Sequence, residues 1–189
     1  DGVARDERQA AVWFREAAQG GLAQAQFNLG LLLARGRGVD SNATEAVKWF
    51  REAARQGYAP AQCNLGLHLK SGIGMPRDPD GAVTWFRAAA EQGLLAAQQN
   101  LGMMYATGDG VPTNHPEALH WYRKAAEQGD RFAAAEAGVL LATGTGVRHD
   151  GAEAVRWLEK AAARGYAPAL VNLGLLHYSG LSVPQDYVE

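Results

Sequence analysis

The chain has 189 residues, of which 47% are hydrophobic, and its 18 basic and 20 acidic side chains give a formal charge of −2. So high an apolar fraction with so small a charge excludes a disordered chain, and the charge balance argues against a nucleic-acid-binding protein. The single cysteine, Cys63, excludes an internal disulfide and a zinc site built from cysteines. No segment reaches the roughly 18 apolar residues that a membrane-spanning helix needs.

Tryptophan recurs every 36 residues along the chain, at Trp13, Trp49, Trp85, Trp121 and Trp157. Alanine stands three residues before each tryptophan and four and five residues after it. Glycine stands 8, 17 and 23 residues after each tryptophan. A period of this length predicts a tandem array of stacked structural units.

The first predicted element of each repeat is a helix that carries the tryptophan, called here the Trp helix. It begins at an Asp or Asn, whose side chain can accept hydrogen bonds from the first helical turn, at Asp6, Asn42, Asp78, Asn114 and Asp150. Ala46, Trp49, Phe50 and Ala53 fall at helical spacing and form one apolar stripe. Gly57 and its equivalents can take the positive φ that ends the helix.

The second predicted element is a helix that contains a Leu-Gly pair or its equivalent, such as Leu65-Gly66, called here the Leu-Gly helix. It begins about two residues after Gly57 and ends at Gly72. A glycine inside a helix costs about 1 kcal/mol relative to alanine. We expect the missing Cβ to let a Trp helix pack closely against Gly66 and Gly102, with the indole buried at the contact.

The residues of this chain that could support catalysis or bind a metal are its glycine pairs, its five histidines and its single cysteine. Gly36-Arg37-Gly38 lacks the continuation of a phosphate-binding loop, and no two of the five histidines lie four residues apart on a helix. Cys63 has no adjacent base. An arginine column two residues after four of the tryptophans alternates with glutamates, which favours a solvated face with ion pairs. The sequence therefore predicts no catalytic residue, no metal site and no cofactor.

The repeat resembles the Sel1-like repeat, a member of the tetratricopeptide-repeat-like superfamily. Residues 97–129 carry the resemblance through Leu101-Gly102, Tyr105, Gly108-Asp109-Gly110-Val111, Ala118, Trp121, Lys124-Ala125-Ala126 and Gly129. The resemblance implies an all-α fold, an α/α solenoid of antiparallel helix pairs stacked into a right-handed superhelix. In the family's phase, full repeats cover 23–58, 59–94, 95–130 and 131–166, with partial repeats at 1–22 and 167–189.

The chain is expected to form a single array from residue 1 to residue 189. Repeat arrays normally end in polar capping repeats, and neither terminus has the sequence of one. We therefore expect the chain to be part of a longer protein.

The resemblance also implies where a partner binds, because the first helix of each tetratricopeptide repeat lines the concave side of the superhelix. The Leu-Gly helix takes that place here. Three of its columns vary between repeats while the scaffold columns stay constant, and most of their members are apolar, which is typical of an interaction surface. The alternative, that these side chains fill the space between neighbouring helices, stays open. The predicted partner-binding residues are Phe27, Leu31, Cys63, Leu67, Lys70, Gln99, Met103, Phe132, Val171, Leu175 and Tyr178.

The predicted function is that of a non-catalytic scaffold or adaptor that binds a partner protein or peptide in the concave groove, as the resemblance implies. Two alternatives stay open: an immunity protein that neutralises a secreted toxin enzyme, and an envelope hydrolase or peptidoglycan-binding module. No nucleic acid and no membrane span are expected. Copies of the chain could also associate through the uncapped ends of the array. The sequence does not distinguish the periplasm from the cytoplasm.

Overall fold

The structure, a computed structural model, describes residues 6–180. All regular structure in this range is helical, which confirms the all-α prediction. Odd-numbered helices are Trp helices and even-numbered ones are Leu-Gly helices. The helices are α1 (Glu7–Gln19), α2 (Ala23–Arg35), α3 (Ala43–Arg55), α4 (Ala59–Ser71), α5 (Pro79–Glu91), α6 (Leu95–Thr107), α7 (His115–Glu127), α8 (Arg131–Thr143), α9 (Gly151–Ala163) and α10 (Ala167–Tyr178).

The chain divides into two compact halves, an N-terminal half (Asp1–Leu94) and a C-terminal half (Leu95–Glu189). In the N-terminal half, α1 packs on α2, α2 on α3, α3 on α4 and α4 on α5. In the C-terminal half, α6 to α10 pack in the same sequential manner, and α8 also contacts α10. Each half is therefore a stack of antiparallel helices in chain order, the arrangement of an α/α solenoid.

The predicted caps begin every described Trp helix. In α3, for example, the Asn42 side chain accepts a hydrogen bond of 3.0 Å from the backbone N–H of Glu45. Asp6, Asp78, Asn114 and Asp150 accept the corresponding bond in the other four Trp helices. Since such a cap stabilises a helix by about 1 kcal/mol, the Asp and Asn column determines where each Trp helix starts.

The mid-helix glycine lies against a large side chain of the Trp helix that follows. A Cβ built on Gly102 would lie 2.8 Å from two ring carbons of Tyr122, closer than atoms normally approach. The prediction of close packing at this glycine is confirmed, and the contact recurs in each half. The described pairs are Gly30–Phe50 and Gly66–Phe86 in the N-terminal half, and Gly102–Tyr122 and Gly138–Leu158 in the C-terminal half.

The side chain at this contact is the residue after the tryptophan. The prediction that the indole is buried at every contact is confirmed at Trp121 and Trp157 and is wrong at Trp13. Trp121 and Trp157 are buried at 6% and 7% exposure, whereas Trp13 of α1 is 61% exposed. The indoles lie at the margin, where their N–H can reach a polar partner. Trp157 Nε1 donates to Glu153 Oε1 over 2.9 Å.

Pairs of glutamines form hydrogen bonds across three of the contacts between a Leu-Gly helix and the next Trp helix. Gln62 is only 5% exposed, and its Oε1 accepts a hydrogen bond of 2.8 Å from Gln92 Nε2. Its own Nε2 donates to the Ala54 carbonyl over 3.3 Å. Gln26–Gln56 and Gln98–Gln128 form the same bond. At the contact between α8 and α9 both partners change together, to Ala134 and Arg164.

The Gly-x-Gly segments between the two helices of successive repeats are turns. Gly38 and Gly146 have φ values of 71° and 64°, which favour glycine over other residues. A Cβ on Gly38 would overlap the Glu7 carbonyl oxygen, and one on Gly146 would lie 2.6 Å from the His115 ring. The loop therefore packs directly on the start of the preceding Trp helix in the same half.

We predict that Gly102→Ala lowers stability by about 1–3 kcal/mol, because the Tyr122 ring must move, and that Gly102→Leu lowers it much further. Gly174, the equivalent residue of α10, is a matched control because no described atom lies within 4 Å of the place that a Cβ would occupy there. Gly174→Ala should leave stability unchanged or raise it by up to about 1 kcal/mol. Urea unfolding followed by circular dichroism measures the series, and equal losses at the two glycines would contradict the packing argument.

We predict that Gln92→Ala lowers stability by about 1–3 kcal/mol, because it leaves the buried Gln62 Oε1 without its donor. The double variant with Gln62→Ala as well should recover part of this loss, since both polar groups are then removed. Gln19→Ala, at an exposed residue of α1, is the control and should change stability by less than about 0.5 kcal/mol. Additive losses in the double variant would show that the two side chains do not interact.

Candidate functional site

In the N-terminal half, four predicted partner-binding residues keep accessible surface, and they are called here the N-terminal patch: Phe27, Leu31, Leu67 and Lys70. Phe27 and Leu31 lie one turn apart on α2, and Leu67 and Lys70 three residues apart on α4, so each pair shares a helix face. Leu67 is 40% exposed. A leucine this exposed contrasts with Leu29 and Leu65, the core leucines of the same helices, at 0% and 1%.

Cys63 does not fit the predicted surface, because its side chain lies in the core. It is 4% exposed, and burial raises the pKa of its thiol to about 11. A thiol with so high a pKa carries almost no thiolate at neutral pH, which fits the inert, structural cysteine that the sequence favoured over a nucleophile. The alternative that this column fills space between helices therefore applies at Cys63.

Phe27 belongs to a group of aromatic rings in the N-terminal half. Its ring centroid lies 5.9 Å from that of Phe50 and 5.4 Å from that of Tyr58. Phe50 is fully buried, whereas Phe27 and Tyr58 are half-buried, so the group reaches from the glycine contact to the surface. Sequence reasoning missed Tyr58. The column directly after the helix-ending glycine could have indicated Tyr58, because it varies between repeats as the predicted binding columns do. It holds Tyr58 and Tyr166 in two repeats and Leu22, Leu94 and Asp130 in the others.

In the C-terminal half, six predicted residues keep accessible surface, and they are called here the C-terminal patch: Gln99, Met103, Phe132, Val171, Leu175 and Tyr178. The first three are half-buried on α6 and α8. The last three, on α10, are far more open, with exposures of 64%, 61% and 93%. Their openness has a separate cause: among the described residues, no Trp helix follows α10 to cover it.

Phe132 links two tyrosines in an aromatic group like that of the N-terminal half. Its ring meets those of Tyr122 and Tyr166 edge-on, each with a centroid separation of 6.3 Å. Tyr122 and Tyr166 occupy the repeat positions of Phe50 and Tyr58, but they come from two successive repeats, whereas Phe50 and Tyr58 belong to one. Edge-to-face pairs of this kind stabilise their site by about 0.5–1.5 kcal/mol beyond the burial of area.

Glu136 of α8 introduces a carboxylate beside this group. Burial raises the pKa of Glu136 above its ordinary value. Burial and, to a smaller extent, the charge of Glu136 raise the pKa of Tyr122. The other Leu-Gly helices carry a neutral asparagine at this position: Asn28, Asn64, Asn100 and Asn172. Glu136 therefore gives the α8 surface a charge that the equivalent surfaces lack.

The outer faces of the Trp helices carry polar contacts that are structural. Arg15 pairs with Glu45 over 2.9 Å and Arg123 with Glu153 over 2.6 Å, which ties consecutive Trp helices of one half together. A depression of about 580 Å³ runs along α3 and is lined by Asn42, Thr44, Glu45, Lys48, Trp49 and Glu52. The two bonds that Glu45 makes there, to Arg15 and Trp49, give its carboxylate a structural role.

No group of three or more side chains suited to metal binding occurs within residues 6–180. No helix in that range is long and apolar enough to cross a bilayer.

We predict that Glu136→Gln raises the melting temperature at pH 7 by about 1–2 °C, because it removes a carboxylate whose charged form burial disfavours. A carboxyl whose pKa is higher in the folded than in the unfolded state lowers the stability of the protein at pH values above the raised pKa. This loss disappears once the pH falls below 4.5, the ordinary pKa of the group, because the carboxyl is then protonated in both states. The gain should therefore vanish at about pH 4. Thermal unfolding at both pH values measures it, with Glu127→Gln at an exposed position as control. An equal gain at both pH values would contradict the electrostatic cause.

The chain is similar to known proteins along its whole length. The Sel1 repeat model matches residues 1–22, 23–58, 59–94, 95–130, 132–166 and 167–189. A solved structure of a protective antigen of uropathogenic Escherichia coli strains, with an SLR fold, is 38% identical and has a TM-score of 0.91. The match covers 99% of this chain and 40% of the antigen, so this chain spans about two fifths of its length.

A Sel1 repeat protein from Oxalobacter formigenes is 36% identical, with a TM-score of 0.82, over 98% of this chain and 76% of that one. No curated protein sequence matches the chain. The repeat model covers nearly every residue, and both solved relatives share the helix-pair fold described above. The chain belongs to the Sel1 repeat family.

Proposed function

We propose that the chain is a non-catalytic scaffold that binds a partner protein or peptide through the N-terminal and C-terminal patches on its Leu-Gly helices. Sel1 repeat proteins generally mediate protein–protein interaction, which supports the class of function. The side chains of the Leu-Gly helices support the choice of surface.

The proposal rests on the presence of two kinds of position on each Leu-Gly helix, one buried in the contact with the next Trp helix and one accessible to solvent. On α4, Leu65 and Gly66 are buried in the contact with α5, whereas Leu67 is 40% exposed and Lys70 half-buried. The buried columns hold nearly the same residues in each repeat, and the exposed columns differ from repeat to repeat. The fold does not require apolar side chains at these exposed positions, yet most of them are apolar. Exposed apolar side chains in such a group are typical of a protein-binding surface.

The patches favour partner segments that offer apolar side chains. Phe27, Leu31 and Leu67 can bury a hydrophobic side chain, and Met103 adapts its shape readily because its thioether chain is unbranched. Lys70 places a cation beside the apolar residues of the N-terminal patch, and Glu136 places a carboxylate beside Phe132. The two patches therefore differ in charge, which favours an acidic group near the first and a basic group near the second.

The alternatives of an immunity protein and an envelope hydrolase or peptidoglycan-binding module remain predictions. The first would use the same patches and differ only in the partner. A hydrolase or a peptidoglycan-binding module needs several polar side chains that point into one site. The polar side chains described above instead take part in structural contacts or lie apart on separate helices.

The test uses a displayed peptide library to select ligands for the whole chain, followed by affinity measurement with fluorescent peptides. We predict that Leu67→Asp or Met103→Asp weakens selected peptides at least about tenfold, because a charge then faces an apolar side chain. Both positions keep accessible surface, so the variants should fold.

Ile73→Asp is the matched control, since Ile73 is an apolar residue with 55% exposure in the loop after α4, outside the patches. It should leave peptide affinity unchanged. Circular dichroism checks that all variants keep their helix content. Peptides that bind every variant equally, or that lose affinity only with Ile73→Asp, would overturn the proposed surface.

A further inference from the structure

On the outer face of the N-terminal half, one glutamate joins two consecutive Trp helices, α1 and α3. Glu45 Oε1 accepts a hydrogen bond of 2.9 Å from Arg15 Nη1 of α1. The same oxygen accepts a bond of 3.4 Å from the indole Nε1 of Trp49, which lies one turn later on α3. One carboxylate therefore serves two donors, a guanidinium from the preceding Trp helix and an indole N–H from its own helix.

The same arrangement occurs between α7 and α9 in the C-terminal half. Glu153 accepts a hydrogen bond of 2.6 Å from Arg123 Nη2 and one of 2.9 Å from Trp157 Nε1. These three residues stand at the repeat positions of Glu45, Arg15 and Trp49. The arginine and tryptophan columns of the repeat thus form a pair of donors that holds a carboxylate between two Trp helices.

Between α3 and α5 the two donors are present but the glutamate is missing. Gly81 of α5 stands at the position of the bridging glutamate, and it has no side chain. Arg51 of α3 and Trp85 of α5 stand at the positions of the two donors, and both are half-buried. Neither the Arg51 guanidinium nor the Trp85 indole N–H has a hydrogen-bonding or ion-pair partner within residues 6–180.

The acidic residues at the start of α5 do not replace the missing carboxylate. Asp78 caps the helix, and its Oδ1 accepts a hydrogen bond of 2.9 Å from the backbone N–H of Gly81. Neither Asp78 nor the exposed Asp80 forms an ion pair with Arg51 in the described part of the chain. The free N–H groups of the first helical turn offset part of the charge of both aspartates.

We propose that Arg51 and Trp85 bind a carboxylate of another molecule, an acidic side chain or a C-terminal carboxylate, at the place where the other repeats have their glutamate. The chain itself shows that donors of these two types at these two positions hold a carboxylate. Hydrogen bonds from a guanidinium to a carboxylate are among the stronger ones in proteins, and the indole N–H adds a second, directional donor. This site goes beyond the proposed function, because it lies on the Trp helices and not in the patches of the Leu-Gly helices.

The test is a titration of the isotope-labelled chain with sodium acetate, at an ionic strength held constant with sodium chloride. NMR follows the indole N–H signal of each tryptophan, and Trp85→Phe identifies the signal of Trp85. We expect this signal to shift downfield and to saturate, because the N–H gains an acceptor. The signals of Trp49 and Trp157 should stay in place, since a glutamate already accepts their hydrogen bonds. Trp13, which is 61% exposed, reports non-specific binding.

Gly81→Glu supplies the missing carboxylate from the chain itself and should abolish the acetate-dependent shift of Trp85. Gly81→Ala is the matched control, because it adds a Cβ without a carboxylate and should leave the shift unchanged. A Cβ at this position would overlap Asp78 Oδ2, an oxygen that can move by rotation of its side chain. Both variants should therefore fold, as the other capped Trp helices do with a glutamine or glutamate there: Gln9, Glu45, Glu117 and Glu153.

Arg51→Met removes the guanidinium but keeps the length of the side chain, and it should weaken acetate binding at least about tenfold. Two further ligands distinguish the sources of the carboxylate. N-acetylglycine carries it at a chain end, and the α-amide of N-acetylglutamic acid carries it on a side chain. Binding of either compound supports the site, and the tighter of the two identifies the source.

Three results would overturn the proposal: a Trp85 signal that acetate does not move, an equal shift of the Trp13 and Trp85 signals, or a shift that persists in Gly81→Glu. None of them bears on the binding of selected peptides to the N-terminal and C-terminal patches. That binding is measured with Leu67→Asp and Met103→Asp, so the two proposals can fail independently.

Discussion

The contact between a mid-helix glycine and the large side chain that follows a tryptophan underlies the rest of this structure. At Gly66, the missing Cβ lets the Phe86 ring sit directly on the helix backbone, and the ring is then fully buried. The helix loses about 1 kcal/mol of propensity at each glycine, and the burial of a phenylalanine or tyrosine more than offsets that loss. The small alanines on either side of the ring follow from this, because two helix backbones can approach closely only where side chains are short.

This contact also separates structural from functional positions. The contact with the next Trp helix takes up one face of each Leu-Gly helix, and the residues on that face are nearly constant between repeats. The remaining face is therefore free to carry different side chains in each repeat. Phe27, Leu67 and Met103 occupy that face on successive Leu-Gly helices. The aromatic groups around Phe27 and Phe132 connect the two roles, since their innermost ring, Phe50 or Tyr122, is the one that covers the glycine. A side chain bound at the surface would therefore rest on rings that the fold already holds in place.

Periodicity alone predicted the helices, their caps and the packing role of the glycine, since each depends on residue types at fixed spacing. It could not decide between Trp49 and Phe50 at the glycine, because neighbouring residues on a helix differ by about 100° and the stripe includes both. The structure places the indole at the edge, where Glu45 can accept its N–H bond. The Gln62–Gln92 pair escaped prediction because its members lie 30 residues apart on helices whose relative depth no single sequence reveals. The burial of Cys63 depended on the same missing information.

The spacing between each glycine and its covering side chain has a consequence for how such a chain can change in length. The covering residue always follows its glycine by 20 positions, as Phe50 follows Gly30 and Leu158 follows Gly138. Loss or duplication of one whole period of 36 residues preserves this spacing at every remaining contact between a glycine and its covering side chain. An insertion of one residue in a Trp helix, before the covering residue, would instead rotate that side chain away from the glycine by about 100° and bring the tryptophan to its place. An insertion of two residues would rotate it by about 200° and bring a polar residue there, such as Lys48 in α3. Sequence divergence by whole repeats is therefore compatible with the fold, whereas small helical insertions are strongly disfavoured.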